Sequence, residues 1–181
     1  MKKIVLVSGL ISGAILAGMT ALMIPLCMSG RMSFDKSEIV GYTSMVLAFL
    51  MVFFGIRTYR ETIGGGAITF GKAFKVGILI TLIACAFYVV SWEIVYFNFL
   101  PDFDEKYSAF VVNKVRLQGG SAAAGAAKEK EMADFRRWYA NPLINVGMTF
   151  LEVFPVGLIM TLVSAAILRR RSGPMPAAAV A

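Results

Sequence analysis

Four apolar runs, at about residues 4–28, 39–56, 76–97 and 142–168, constrain this chain more than anything else in it. Crossing ~30 Å of hydrocarbon as a helix takes about 20 residues, and each run is close to or above that length. Inside hydrocarbon every backbone polar group needs an internal partner, so such runs are expected to be helices. The chain is 58% hydrophobic, against about 45–50% for an ordinary soluble domain. The expected fold is an all-α integral membrane four-helix bundle forming one domain over residues 1–171. The Pro/Ala-rich tail, 172–181, reads as disordered.

The first run opens on Met1-Lys2-Lys3, as a secretory signal does. It is longer than a signal core of about 7–15 residues. It also carries Gly9, Gly13, Ala17 and Ala21 at every fourth position. That spacing puts small residues on one helix face and lets another helix come close, so the run reads as a retained first span. Ala73, Gly77, Thr81 and Cys85 repeat the device in the third span, and Gly157, Thr161 and Ala165 in the fourth. Cys27 and Cys85 lie at different depths, which argues against a disulfide.

The charges set the topology. Lys2, Lys3, Arg57, Arg60, Lys72, Lys75, Arg169, Arg170 and Arg171 flank the spans on one side, with Glu61 as the only acid. The other side carries nine bases and eight acids. The positive-inside rule then places both termini in the cytoplasm. Arg57, Arg60, Lys72 and Lys75 are candidates for anionic lipid headgroups. The net charge of +7 is accounted for by these flanks, which excludes nucleic acid as the expected partner. Gly66 to Gly71 and Lys72 have the spacing of a phosphate loop, but Ala73 stands where a hydroxyl is needed and no strand precedes it. The three glycines 64–66 therefore read as a turn between helices.

Residues 101–141 form a polar excursion outside the membrane. Tyr107, Phe110, Val111 and Val115 have helical spacing, Gly119-Gly120 interrupts them, and Met132, Phe135 and Tyr139 form a second stripe with Lys130 and Asp134 as an i,i+4 pair. This reads as an extracytoplasmic amphipathic helical hairpin between spans three and four. Trp138, Tyr139, Trp92, Tyr96 and Phe97 mark the water interface.

Two carboxylates stand inside the spans. A charge at a span centre costs about 2.5–3.5 kcal/mol on insertion scales. At ~1.5 Å per residue, Glu93 lies near the outer interface and Glu152 about 15 Å deep. No lysine or arginine in a span neutralises Glu152, so it is expected to be protonated or strongly hydrogen-bonded, with Tyr88 at similar depth as a partner. Pro155 removes a helix hydrogen bond one turn away and is expected to bend the fourth span. Glu152, Glu93, Tyr88 and Pro155 are the candidate intramembrane functional residues.

Several stretches carry a family likeness: Gly55-Ile-Arg-x-Tyr-Arg-Glu, the glycine run, Ile68-Thr-Phe-Gly-Lys-Ala-Phe-Lys-x-Gly, Trp92-Glu93, Pro101-Asp-Phe and Glu152-x-Phe-Pro-Val-Gly-Leu. Together they resemble the DUF4199 family of small bacterial four-span membrane proteins. The resemblance implies a bacterial cytoplasmic-membrane protein and no particular activity. There are no histidines, which removes the commonest general base and metal ligand; no catalytic residue, metal or cofactor is expected. The leading expectation is a non-enzymatic membrane-embedded packing and association module, whose partners are the bilayer and a second copy or another membrane protein. The alternative is a small proton-coupled transporter or channel subunit using Glu152, with Glu93 at its outer mouth. A solute-accessible cavity reaching Glu152 distinguishes the two.

Overall fold

A computed structural model describes residues 1–170; the expected disordered tail lies outside the described residues. The chain forms six helices: α1 Lys2–Met28, α2 Phe34–Thr62, α3 Phe70–Phe99, α4 Phe103–Leu117, α5 Ala122–Tyr139 and α6 Pro142–Leu168. Of these, α1, α2, α3 and α6 are long and apolar enough to cross a membrane. The only β pairing among the described residues is an isolated antiparallel bridge between Ile68 and Arg170.

The helices overrun the apolar runs. With 29 and 30 residues, α2 and α3 are each about 45 Å long at 1.5 Å per residue. Hydropathy marks how deep a residue can sit, whereas a cap decides where the helix starts. The Ser33 hydroxyl accepts from the Asp35 amide at 3.2 Å, so α2 begins at Phe34. Asp35, Lys36 and Glu38, expected in a loop, are therefore helical. Thr69 caps α3 through the Lys72 amide at 3.4 Å. Asn141 caps α6 through the Leu143 amide at 3.0 Å, with Pro142 in the first helical turn, where its missing N–H leaves no bond unmade. The helix α6 runs unbroken through Pro155.

The four long helices pack as a ring, α1 beside α2 and α3, and α6 beside the same two. One half of this ring is tightly closed. A Cβ on Gly9 would lie 2.7 Å from Ile83, on Gly13 2.7 Å from Phe87, on Gly77 2.8 Å from Thr161 and on Gly157 2.5 Å from Thr81. The small-residue stripes of α3 and α6 thus face one another, and the glycines of α1 receive Ile83 and Phe87 of α3. Hydroxyls complete the contact: Ser12 donates to the Ala48 carbonyl at 2.9 Å, and Thr81 and Thr161 share a hydrogen bond of 2.9 Å. Phe49, Val52, Ile56, Val76 and Ile80 fill the space between.

The closed half ends in the basic surface. Glu61 accepts from Arg57 at 3.0 Å and Arg60 at 3.1 Å, and Arg60 also reaches the Leu168 carbonyl at 3.5 Å. Ile68 and Arg170 exchange both backbone hydrogen bonds at 2.9 Å. Lys72 and Lys75 are exposed. The turn before Ile68 needs Gly65 and Gly66 at φ +59° and +86°, a region L side chains disfavour. The phosphate-loop spacing therefore lies between two helices, with its threonine used as a cap.

At the opposite end α4 and α5 pack on each other. Ser121 caps α5, accepting from the Ala124 amide at 3.2 Å, so its first turn is the alanine-rich stretch. The expected Lys130–Asp134 pair does not form. Lys128 pairs with Glu131 at 2.7 Å and Arg116 with Glu129 at 2.5 Å instead. A base four residues ahead of an acid is the weaker helical orientation, and the tie between α4 and α5 competes for the same surface.

Candidate functional site

Beyond the closed half the ring opens. There Gly41 of α2 would gain a Cβ with nothing within 4 Å. Between the helices at this end lies a cavity of about 590 Å³, within the usual 300–1,000 Å³ of ligand sites. The helix α1 gives it Leu16, Thr20, Met23 and Cys27; α2 gives Phe34, Glu38, Gly41 and Met45; α3 gives Tyr88 and Trp92; α6 gives Met148, Thr149 and Glu152. The α1, α2 and α3 sets are spaced at three or four residues, so each is one helix face; on α6, Thr149 and Glu152 share that spacing and Met148 lies beside them. The helices α4 and α5 close over it with Phe103, Tyr107, Phe110, Lys114, Phe135 and Tyr139.

One wall is held by a buried polar network. The Trp92 indole N–H is shared between the Tyr139 hydroxyl at 3.0 Å and the Asn145 amide oxygen at 3.1 Å. The Thr149 hydroxyl donates to the same Asn145 oxygen at 3.2 Å, and the Asn145 amide donates to the Tyr139 carbonyl at 3.4 Å. Asn145 is fully buried. Burial holds the Tyr139 hydroxyl above the ordinary tyrosine range, so it stays neutral and can accept from the indole. These bonds fix the Trp92 ring and the start of α6 against the end of α5.

The cap is attached by side chains. Phe34 of α2 packs against Phe103, Tyr107 and Phe110 of α4, with ring centroids 6.2, 5.6 and 5.2 Å apart. Tyr96 donates to the Asp104 carboxylate at 2.5 Å. Lys106 reaches the Met28 carbonyl at 3.3 Å. Lys114 forms an ion pair with Asp35, whose hydrogen bond and charge hold the lysine ammonium above its usual range.

The expected site residues separate. Glu152 and Tyr88 both line the cavity, but no hydrogen bond joins them; Glu152 has neither a hydrogen bond nor an ion pair among the described residues, and its side chain is exposed rather than packed. Glu93 is not on the cavity wall. It is half-buried on α3, and its Oε1 is buried without a hydrogen-bond partner. Pro155 lies one turn beyond Glu152, off the cavity. Arg57, Arg60, Lys72 and Lys75 belong to the far, basic end. Glu38 and Asn145 are the residues the sequence reading missed. Once α2 starts at Phe34, Glu38 falls on the stripe of Phe34, Gly41 and Met45. Asn145 lies seven residues, two helical turns, before Glu152 and so on nearly the same face of α6.

A family model described as a protein of unknown function (DUF4199) matches residues 8–170. No curated protein and no solved structure matches the chain.

Proposed function

This chain belongs to the DUF4199 family, and from the geometry of its cavity we propose a non-enzymatic membrane protein that binds a small amphipathic solute and acts as a transporter or channel subunit. The observation that carries the reading is the cavity itself, which reaches Glu152 about 15 Å along α6 from Pro142 at 1.5 Å per residue. A carboxylate at that depth is costly against lipid and is commonly found facing a water-filled space or a substrate path. The association reading has less to rest on. At Gly9, Gly13, Gly77 and Gly157 the small-residue faces that would receive a second copy are occupied by the chain's own helices.

The host is a bacterial cytoplasmic membrane in this reading, with the basic end in the cytoplasm. The cavity and the α4–α5 cap then face outward, and the closed half is the barrier to the inside. Arg57, Arg60, Lys72 and Lys75 lie at the level of the inner headgroups.

Cys27 on the cavity wall is a built-in reporter, because the other cysteine, Cys85, is fully buried. A small membrane-impermeant maleimide added to intact cells is expected to label Cys27. Gly41→Trp places an indole where a Cβ meets nothing within 4 Å and is expected to suppress that labelling. Labelling that appears only after the cells are opened, or that Gly41→Trp leaves unchanged, would overturn the proposal.

A further inference from the structure

We propose that the cavity's ligand is a lipophilic organic cation, held by Glu152 and Glu38 and by the aromatic wall; this rests on the binding reading above and adds the charge class of the ligand. Three features point the same way. The first is charge. The lining carries three carboxylates, Asp35, Glu38 and Glu152, and a single base, Lys114. Lys114 is committed to Asp35. Glu38 and Glu152 make no ion pair among the described residues, and they come from neighbouring helices, α2 and α6. The lining therefore holds two acids without a basic partner, which disfavours an anion and favours a guest that brings a positive charge.

The second feature is the wall. Nine of the lining side chains are aromatic, far more than a water path requires. Aromatic faces attract cations through the ring quadrupole, most strongly when the ion is poorly hydrated, and aromatic cages recognise quaternary ammonium groups in this way. The Trp92 ring is locked by its shared N–H bonds to Tyr139 and Asn145, so a face of it is fixed rather than adaptable. Phe103 stacks edge-on to Trp92 at 5.7 Å, carrying the aromatic surface from α3 onto the cap.

The third feature decides between kinds of cation. A divalent metal needs several oxygen ligands brought together. Among the described residues no three acidic, cysteine or histidine side chains are gathered in that way. Two separated carboxylates in an apolar, methionine-containing cavity of about 590 Å³ suit a bulky cation whose charge is spread under apolar groups.

The test uses two ions of one shape and opposite charge, tetraphenylphosphonium and tetraphenylborate. The full chain is held in lipid nanodiscs, and binding to empty nanodiscs is subtracted. The phosphonium is expected to bind saturably and the borate not to bind. Glu152→Gln and Glu38→Gln keep shape while removing the ionisable group that a bound cation would hold as carboxylate, and each is expected to weaken phosphonium binding on the order of tenfold. Lys114→Gln releases Asp35 and is expected to tighten it, a gain that misfolding cannot produce. Equal binding of both ions, phosphonium binding unchanged in the glutamine variants, or no saturable phosphonium binding would overturn the cation assignment. If Cys27 labelling still responds to Gly41→Trp in that case, the binding cavity stands and only its charge class falls. If that labelling fails as well, the binding reading falls with it.

Discussion

Gly13, buried against α3, and Gly18, exposed and off the cavity wall, lie five residues apart on α1 and give a clean test of the close approach between α1 and α3. A Cβ at Gly13 would sit 2.7 Å from the Phe87 Cβ and 2.9 Å from its Cγ. The first of those atoms is anchored to the α3 backbone, so the helices must separate. At Gly18 an added Cβ meets nothing within 4 Å. Both Gly→Ala changes gain the same helix propensity, about 0.8–1.0 kcal/mol in water and less where the denatured chain stays helical in detergent. That gain cancels when the two variants are compared. What remains is the overpacking cost at Gly13, about 1–3 kcal/mol. Reversible unfolding in mixed micelles, titrated with SDS and followed by tryptophan fluorescence, reads the difference directly. Gly18→Ala is expected to match or exceed the parent, and Gly13→Ala to fall below Gly18→Ala by about that 1–3 kcal/mol. Equal stability of the two variants would show that α1 does not press on α3 at Gly13, and the closed half would lose one of its close approaches.

Asn145→Leu removes the acceptor shared by Trp92 and Thr149, and is expected to destabilise by about 1–3 kcal/mol because buried donors lose their partner; a Trp92→Phe background, which no longer needs that acceptor, should shrink the loss. Lys114 is raised by its pairing with Asp35, so its share of the cap's attachment is present below the ordinary lysine range and disappears as pH climbs through the raised value. Spin labels at Lys36 and Asn113 should therefore hold their distance at neutral pH and spread only in strong alkali, and a spread beginning near neutrality would refute the role of the pair. Reporter fusions after Lys72 are expected to report cytoplasm and insertions at Gly119 the outside, and the reverse pattern would place the cavity mouth in the cytoplasm.

The bundle was legible because its signals are local to each helix. A run long enough to cross a membrane, a small residue at every fourth position, or a glutamate inside an apolar run can each be read without knowing the neighbours. Glu152 stood out for that reason. Glu38 did not, because a charge at the end of an apolar run is ordinary, and only the Ser33 cap moves the helix start far enough to bring it onto a wall-lining face. Asn145 was passed over because an amide in the first turn of a helix breaks no hydropathy threshold. Its importance comes from Trp92 and Tyr139, which lie on other helices.

The opening of the bundle has a cause that can be traced along α1. Its inward face is Ser8, Gly9, Ser12 and Gly13 in the closed half, then Leu16, Thr20 and Met23 beside the cavity. Small residues let backbones meet and draw the helices together. From Leu16 onward the side chains are larger, and α2 and α6 answer them with Met45 and Met148 rather than with glycine placed to receive them. Gly41 does lie on the cavity wall, but it meets no neighbour, so it widens the space instead of closing it. Helices drawn together at one end and held apart at the other enclose a space between them. With a glutamate on its wall and aromatic rings above, that space is what the proposed function takes as the site.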